Sequence, residues 1–433
     1  MKELFVVAGY QMSVSPAIAG ITGAVIMPSH VSYHALSHRP LGKGHPHLER
    51  RLLDPQMYLA ELNAASCPLP CARLASYGWF PLTREVPFDS SKEKAGEWLK
   101  SRSQGIETAW TACLPTRGGE REDAIRQCLL RQQGLGVEAF ILPTPLTQDI
   151  NSDYSEELDW LESGLTICRE IAPDIPVYGS IALSDVALRG PDPWSNPLLN
   201  IVLDQLTARG IWGAYIVPVM SSEDSYYFTH PHTVGALLRL CNGLKAGGVQ
   251  RVMVSFAGTA GLLCMAAGAD AWVTGWFKSQ RRMRLSDFER TEGRVVPAYY
   301  SHPLGGEFHM LMDLDRGVGA GFLDRIADTT PESEGLLRAL GAGRPVASVP
   351  AWQHRIGNRS ASINHFLMVS ARETALRALL SDVEIHAHAA AWLDAAYALS
   401  ADLQRIGPFN PRTAVNHQFG WRGAFERFGK ERY

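Results

Sequence analysis

The chain carries no excess of positive charge: 41 Lys and Arg face 44 Asp and Glu across 433 residues, a formal net charge of −3. No global basic field gathers polyanions, so any contact with nucleic acid has to come from a local patch. A membrane span is missing too. The apolar run over residues 14–27 is short, broken by Gly and Pro, and has no basic leader. Cysteine is sparse and scattered, at Cys67, Cys71, Cys113, Cys128, Cys168, Cys241 and Cys264. Only Cys67 and Cys71 lie close together, and no second pair or nearby His completes a zinc set. No metal or other cofactor is therefore expected. An odd cysteine count without a signal peptide implies reduced thiols in a cytoplasm. The fingerprint Gly-x-Gly-x-x-Gly is absent at the first strand, which argues against a dinucleotide site.

What is present is an ordinary globular composition, 46% hydrophobic and 20% charged, with enough material for a large core. Apolar β-rich runs occur at residues 4–8, 23–27, 71–80, 136–142, 177–183, 213–219, 251–255 and 271–274, with 295–300 as one more. Helical spacing begins near Lys92 and recurs over 120–133, 156–170, 198–208, 234–245 and 260–267. This alternation predicts a parallel sheet. Counted from Gly23 there are about eight strands, so the expected α/β architecture is a TIM (β/α)8 barrel over residues 1–325, an open doubly wound sheet being the alternative. Residues 326–433 read as a connector, an Ala/Leu-rich helical extension over 363–403 and a basic, aromatic tail.

Residues 50–59, Arg-Arg-Leu-Leu-Asp-Pro-Gln-Met-Tyr-Leu, concentrate the chemistry. Pro55 lacks an N–H and keeps Asp54 out of the helical region. Helical spacing starts at Met57, which places Asp54 on the lip where an extended segment turns into a helix. A carboxylate there either acts on a ligand over the strand ends or caps the helix that follows.

Several segments, in order, resemble the tRNA-guanine transglycosylase superfamily, TIM-barrel enzymes that break a base–ribose bond and exchange the base. Arg251-Val-Met-Val-Ser-Phe-Ala-Gly-Thr, Gly268-Ala-Asp270-Ala-Trp272 and Arg281-Arg282 are similar to its strand, Gly-Thr turn, Gly-Val-Asp strand and Arg-bearing loop. Residues 177–183 and 213–217 resemble its Gly-rich base-reading strands, and Tyr33-His34 with Arg39-Pro40 its Tyr-His-Leu…Arg-Pro element. The likeness spans roughly residues 23–300. Asp54 matches the family's proton-transfer, base-contacting Asp. The departures are equally informative. The zinc cluster is missing, Ser180, Ala182 and Pro218 replace base-reading positions, and Val273 stands where the family has its nucleophilic Asp. Without that nucleophile, the resemblance implies hydrolysis instead of exchange.

Breaking an N-glycosidic bond requires a carboxylate at the sugar and a donor on the leaving base. Asp54 suits the first role, with Asp149 as the spare among Asp149, Asp185, Glu223 and Asp224. His30, Gln56 and Tyr58 are candidates for the second, and Tyr33 and His34 for substrate contacts. A base in a duplex must be flipped out between apolar walls. Trp79 and Trp276, with Phe80, Tyr226, Tyr227 and Phe277, are placed for that. Arg39, Lys43, Arg50 and Arg51 form one basic run, and Lys278, Arg281 and Arg282 another, both assigned here to phosphate. The histidines at 30, 34, 38, 45 and 47 lack an acidic partner and propose no metal. The expectation is thus a DNA glycosylase of the cytoplasm acting on a modified base, with DNA favoured over tRNA, an oligomeric state the sequence does not indicate, and a use in phage defence by analogy. Rivals are a base-exchanging transglycosylase, a non-catalytic nucleic-acid-binding subunit, and a barrel enzyme using Gly258-Thr259 as a phosphate site.

Overall fold

The structure, a computed structural model, describes residues 1–8, 18–33, 36, 50–63, 66–80, 118–221, 227–289, 297–309, 312–353, 360–410, 413 and 415–432. Eight parallel strands follow one another in chain order: β1 (Glu3–Ala8), β2 (Gly23–Ile26), β3 (Arg51–Leu53), β4 (Phe140–Ile141), β5 (Val177–Ser184), β6 (Gly213–Val219), β7 (Arg251–Ser255) and β8 (Ala271–Thr274). β8 pairs with β1, Phe5 opposite Val273, so the sheet curls back on itself. At the remaining seam the Glu138 N–H donates to the Arg51 carbonyl at 3.0 Å. The result is a nearly closed TIM barrel.

Register fixes which side chains point inward, because alternate residues of a strand face one side. The pairings Phe5↔Gly23, Val7↔Val25, Val25↔Leu52, Tyr178↔Gly213, Ser180↔Tyr215, Tyr215↔Met253 and Ser255↔Val273 define one inward set. At Gly213 a Cβ would stand 2.5 Å from the Tyr178 ring, so the barrel interior requires glycine there. The N-terminal end of the interior is closed by charge. Glu3 pairs with Arg50 at 2.6 Å and with Arg251, while Arg50 also reaches Glu138 at 2.8 Å. Both guanidinium groups lie near the Phe5 ring, at 5.5 and 5.8 Å. With its floor plugged by these charges, the barrel leaves the C-terminal strand ends as the place where this architecture holds its ligands.

Helices Ser155–Ile171, Pro197–Ala208 and Pro231–Ala246 follow β4, β5 and β6 on the outside. The second starts where Asn196 accepts the Leu198 and Leu199 N–H groups ahead of Pro197, a sequence-encoded cap. Three expectations are corrected. The strand expected at 71–80 is overlapped by the helix Pro68–Ala75, whose prolines sit in the first turn, where a missing N–H costs nothing. The barrel begins at Glu3, not Gly23, and is complete at Thr274. The run at 295–300 becomes Ala298–Ser301, paired antiparallel with Gly306–His309 in a hairpin outside the barrel. The helix expected from Lys92 lies outside the described residues.

The C-terminal region is helical: Ser360–Ala378, Asp382–Arg405 and His417–Glu431. It is not a separate unit. Phe366, Leu367, Val369, Ile385, Leu393, Trp421 and Phe425 belong to the same hydrophobic core as the barrel strands. Phe366 meets Trp272 of β8 edge-on at 6.5 Å, so Ser360–Ala378 covers the β8–β1 side as an outer barrel helix. A second, smaller core gathers Tyr299, Phe308, Leu314, Leu336, Trp352 and Leu403 around the hairpin. Among the described residues no helix is long and apolar enough to cross a membrane.

Replacing Glu3 by Ala leaves Arg251 and Arg50 without their shared partner inside the barrel floor. Discounted for the partial exposure of Arg50, the expected loss is about 2–3 kcal/mol in urea unfolding, with chemistry at the opposite end unaffected.

Candidate active site

Asp54 lies directly after β3. Its backbone N–H still donates to the Ile26 carbonyl at 3.0 Å, so the sheet pairing with β2 runs one residue past the strand and fixes the residue in extended backbone, as Pro55 demands. By alternation from Leu52 its side chain points into the barrel mouth. The carboxylate is 1% exposed. Oδ2 accepts the Tyr58 hydroxyl at 2.6 Å and the Tyr215 hydroxyl at 3.0 Å, and Oδ1 accepts the Gln56 N–H at 3.0 Å. That last bond is a local Asx-type turn and not the helix cap considered for this Asp, since Gln56 is the N-cap of the 3-10 turn Met57–Glu61 and no side chain caps it. Tyr58 stands on the 3-10 turn Met57–Glu61, whereas Tyr215 reaches across from β6.

Burial drives the electrostatics. Desolvation pushes the Asp54 carboxyl from near 3.8 up to about 6, against the opposing pull of the Tyr58, Gln56 and Tyr215 hydrogen bonds. Among the described residues no other carboxylate contributes to that shift. Burial first, and the Asp54 charge second, hold both tyrosines well above 10, so they remain donors at every physiological pH. His30 is neutral: burial and the Arg73 charge lower it to about 4. Its Nδ1 lies 3.2 Å from Ser29 Oγ and its ring 6.1 Å from Phe288. Gln56, fully buried, adopts the left-handed φ of 54°, and Phe256, just past β7, adopts 56°. Two bulky side chains held there, both at C-terminal strand ends, mark the mouth as strained.

The structure gathers some of the expected residues and disperses others. Gln56 and Tyr58 join Asp54. Trp79 joins as scaffold, its Nε1 donating to the Pro55 carbonyl at 3.1 Å. Trp276 is on the same rim, bonded to the Val7 carbonyl at 2.7 Å. Tyr33 faces away, edge-on to Tyr77 at 5.6 Å and under Arg131 at 4.1 Å. Asp149 is exposed, its Oδ1 holding the Asn151 N–H at 2.9 Å in a local turn. Asp185 is occupied by Arg189 and the Ser221 N–H. Arg50 and Arg51 are at the far, N-terminal end of β3, Arg50 in the floor network and Arg51 bonded to the Gly136 carbonyl at 3.3 Å. The second basic run is likewise structural. Lys278 and Arg281 both grip Glu307 of the hairpin, at 2.9 and 2.5 Å, and Arg281 stacks on Phe366. Arg282, 2% exposed, pairs with Asp287 at 3.1 Å. Basic runs in a sequence do not reveal acids that fold against them. His34, Arg39, Lys43, Tyr226, Glu223 and Asp224 lie outside the described residues.

Tyr215 was not anticipated. Alternation would have turned it inward, but its reach to Asp54 depends on the barrel's closure. Among the described residues no cluster of His, Cys, Asp or Glu could hold a metal ion. No protein-family model matches the chain, and no curated protein is significantly similar to it.

The raised Asp54 pKa has a definite sign. A carboxyl at about 3.8 unfolded and about 6 folded favours folding fully below pH 4, and that contribution is lost as pH rises through 6. The cost at pH 7 is about 3 kcal/mol. Asp54→Asn should therefore be as stable as the parent at pH 4 and more stable at pH 7–8 in unfolding titrations. Tyr215→Phe, which removes a donor to the charged form, should move the transition upward by roughly one pH unit.

Proposed function

We propose that the protein hydrolyses the bond between a base and its sugar in nucleic acid, DNA being the favoured substrate and a modified base the favoured target. The observation that carries this reading is the buried Asp54 carboxyl at the barrel mouth, brought near neutrality by desolvation and aligned by Tyr58 and Tyr215. A group titrating near 6 exchanges protons efficiently at physiological pH. The ordered resemblance to the transglycosylases, in which Asp54 matches the proton-transfer Asp, supplies the bond that is broken. Fold alone does not determine chemistry.

In the step proposed, Asp54 accepts a proton from water as the water oxygen bonds to the sugar's anomeric carbon. The carbon–nitrogen bond breaks with its electron pair leaving on the base. The proton returns from Asp54 to the base, so water and nucleoside give free base and an abasic sugar, and the carboxylate is regenerated. Base exchange would need a second carboxylate to hold the sugar, and Val273 stands where the resembled family has its nucleophilic Asp. The phosphate contacts of this reading fall to Arg39 and Lys43, because the other basic candidates are committed to carboxylates or backbone.

Purified protein incubated with ordinary and base-modified genomic DNAs should release a free base and leave alkali-labile sites, detected by mass analysis and alkaline cleavage. The rate should rise with pH through about 6, and Asp54→Asn should lower it by about 10²–10⁴-fold. Release unchanged in the variant would remove Asp54 from the chemistry. No release from any DNA or tRNA would leave a binding subunit.

A further inference from the structure

At the end of the barrel away from Asp54, a cleft of about 540 Å³ opens between the residues just before β1 and β8 and the ends of the helices Pro231–Ala246, Ser360–Ala378 and His417–Glu431. Clefts of roughly 300–1,000 Å³ hold small molecules. The charged part of its wall is Lys2, Lys245, Arg377 and Arg432 against Asp270 and Asp382. Some of that charge is spent locally, as cations at helix ends commonly are. Lys245 pairs with Asp270 at 3.1 Å and donates to the Gln250 carbonyl at 2.8 Å. Lys2 gives one N–H to the Ala269 carbonyl at 2.8 Å. Burial lowers its ammonium from the ordinary 10.5, with Asp270 and Asp382 opposing.

Arg377 and Arg432 are not spent in this way. Arg377 is fully buried, and its Nη1 serves Glu373 one turn back, reaching Oε2 at 2.9 Å and the carbonyl at 3.2 Å. Nε and Nη2 have no acceptor. That edge of a guanidinium, two parallel N–H groups, is the one that grips an oxyanion side-on. Buried donors left open are rare and costly. Arg432, just past His417–Glu431, lies 5.9 Å from the Phe428 ring and pairs with no carboxylate among the described residues. Ala266, Ala267, Leu380 and Ile385 supply apolar wall. We infer that this cleft binds a phosphorylated small molecule, its phosphate held by Arg377 and Arg432 and its organic part by the apolar wall. A carboxylate, with one charge and two oxygens, is satisfied by a single guanidinium. A phosphate monoester carries up to two charges on three free oxygens and matches two guanidinium groups together with the remaining N–H groups of Lys2. The inference is independent of the chemistry proposed for Asp54. A buried water on the open edge of Arg377 is the rival occupant, and it predicts no affinity for any anion.

The test measures binding of AMP and glucose 6-phosphate to the full-length protein by calorimetry, beside adenosine, glucose, inorganic phosphate and acetate. The two esters distinguish a nucleotide from a sugar phosphate. At least one should bind with a Kd of about 1 mM or tighter, more tightly than inorganic phosphate, and its unphosphorylated counterpart should not bind. Arg377→Lys keeps a charge for Glu373 and loses the side-on edge, and Arg432→Gln removes a partly exposed charge. Thermal unfolding verifies that both variants are folded. Each should weaken binding by about ten-fold or more, whereas Asp54→Asn, at the other end of the barrel, should leave it unchanged. No binding of either ester, or undiminished binding in either arginine variant, would overturn the inference. So would inorganic phosphate or acetate binding as tightly as the ester, or loss of binding in Asp54→Asn.

Discussion

The desolvated carboxylate of Asp54 is the constraint on which the mouth of the barrel depends. A charge buried this deeply is tolerated only where donors surround it. Here they come from three directions: the local turn through Tyr58, the backbone of the strained Gln56, and the opposite side of the barrel through Tyr215. The last requires β3 and β6 to be held in a fixed relation across the interior. Barrel closure and the state of Asp54 are therefore one problem. Were the β3–β4 seam or the β8–β1 pairing to slip by a residue, inward and outward side chains would exchange and Tyr215 would leave the carboxylate.

The two ends of the barrel divide the work. The N-terminal end is neutralised by Glu3, Arg50, Arg251 and Glu138, whose charges satisfy one another and close the floor. The C-terminal end gathers its polar groups around one carboxylate, with Gln56 beside Tyr58 and Ser255 beside Tyr215, the two tyrosines that donate to Asp54. Stability is concentrated at one end and chemical potential at the other, the usual distribution for this architecture. The C-terminal helices brace the arrangement from outside. Glu307 of the hairpin collects Lys278 and Arg281 from the segment after β8, and Arg281 lies over Phe366 of the covering helix. One carboxylate thus ties the last strand to the extension.

Much of the fold was legible in the sequence. Strands β6, β7 and β8 match the apolar runs at 213–219, 251–255 and 271–274 residue for residue, because short buried strands bounded by turns leave little choice of register. The run at 71–80 misled because Cys, Ala and Leu serve a buried helix face as well as a strand, and the prolines at 68 and 70 begin the helix. Asp54, Gln56 and Tyr58 were legible because Pro55 fixes the local backbone and the three are near neighbours. Tyr215, 161 positions away, was not, since its contact exists only once the barrel is closed. The ion pairs of the described basic residues were illegible for a similar reason: whether an Arg meets phosphate or a carboxylate is decided by tertiary partners such as Glu3, Glu307 and Asp287.

Titration of the aspartate carboxyl carbons by 13C NMR, with 13C-labelled aspartate in the parent protein and in Asp54→Asn, tests the central claim without reference to any substrate. The account predicts a carboxyl resonance that titrates near pH 6 in the parent and is missing from the variant. If the resonance lost on substitution instead titrates at or below the ordinary aspartate value near 4, Asp54 is a solvated cap and the mouth of the barrel is not built around it.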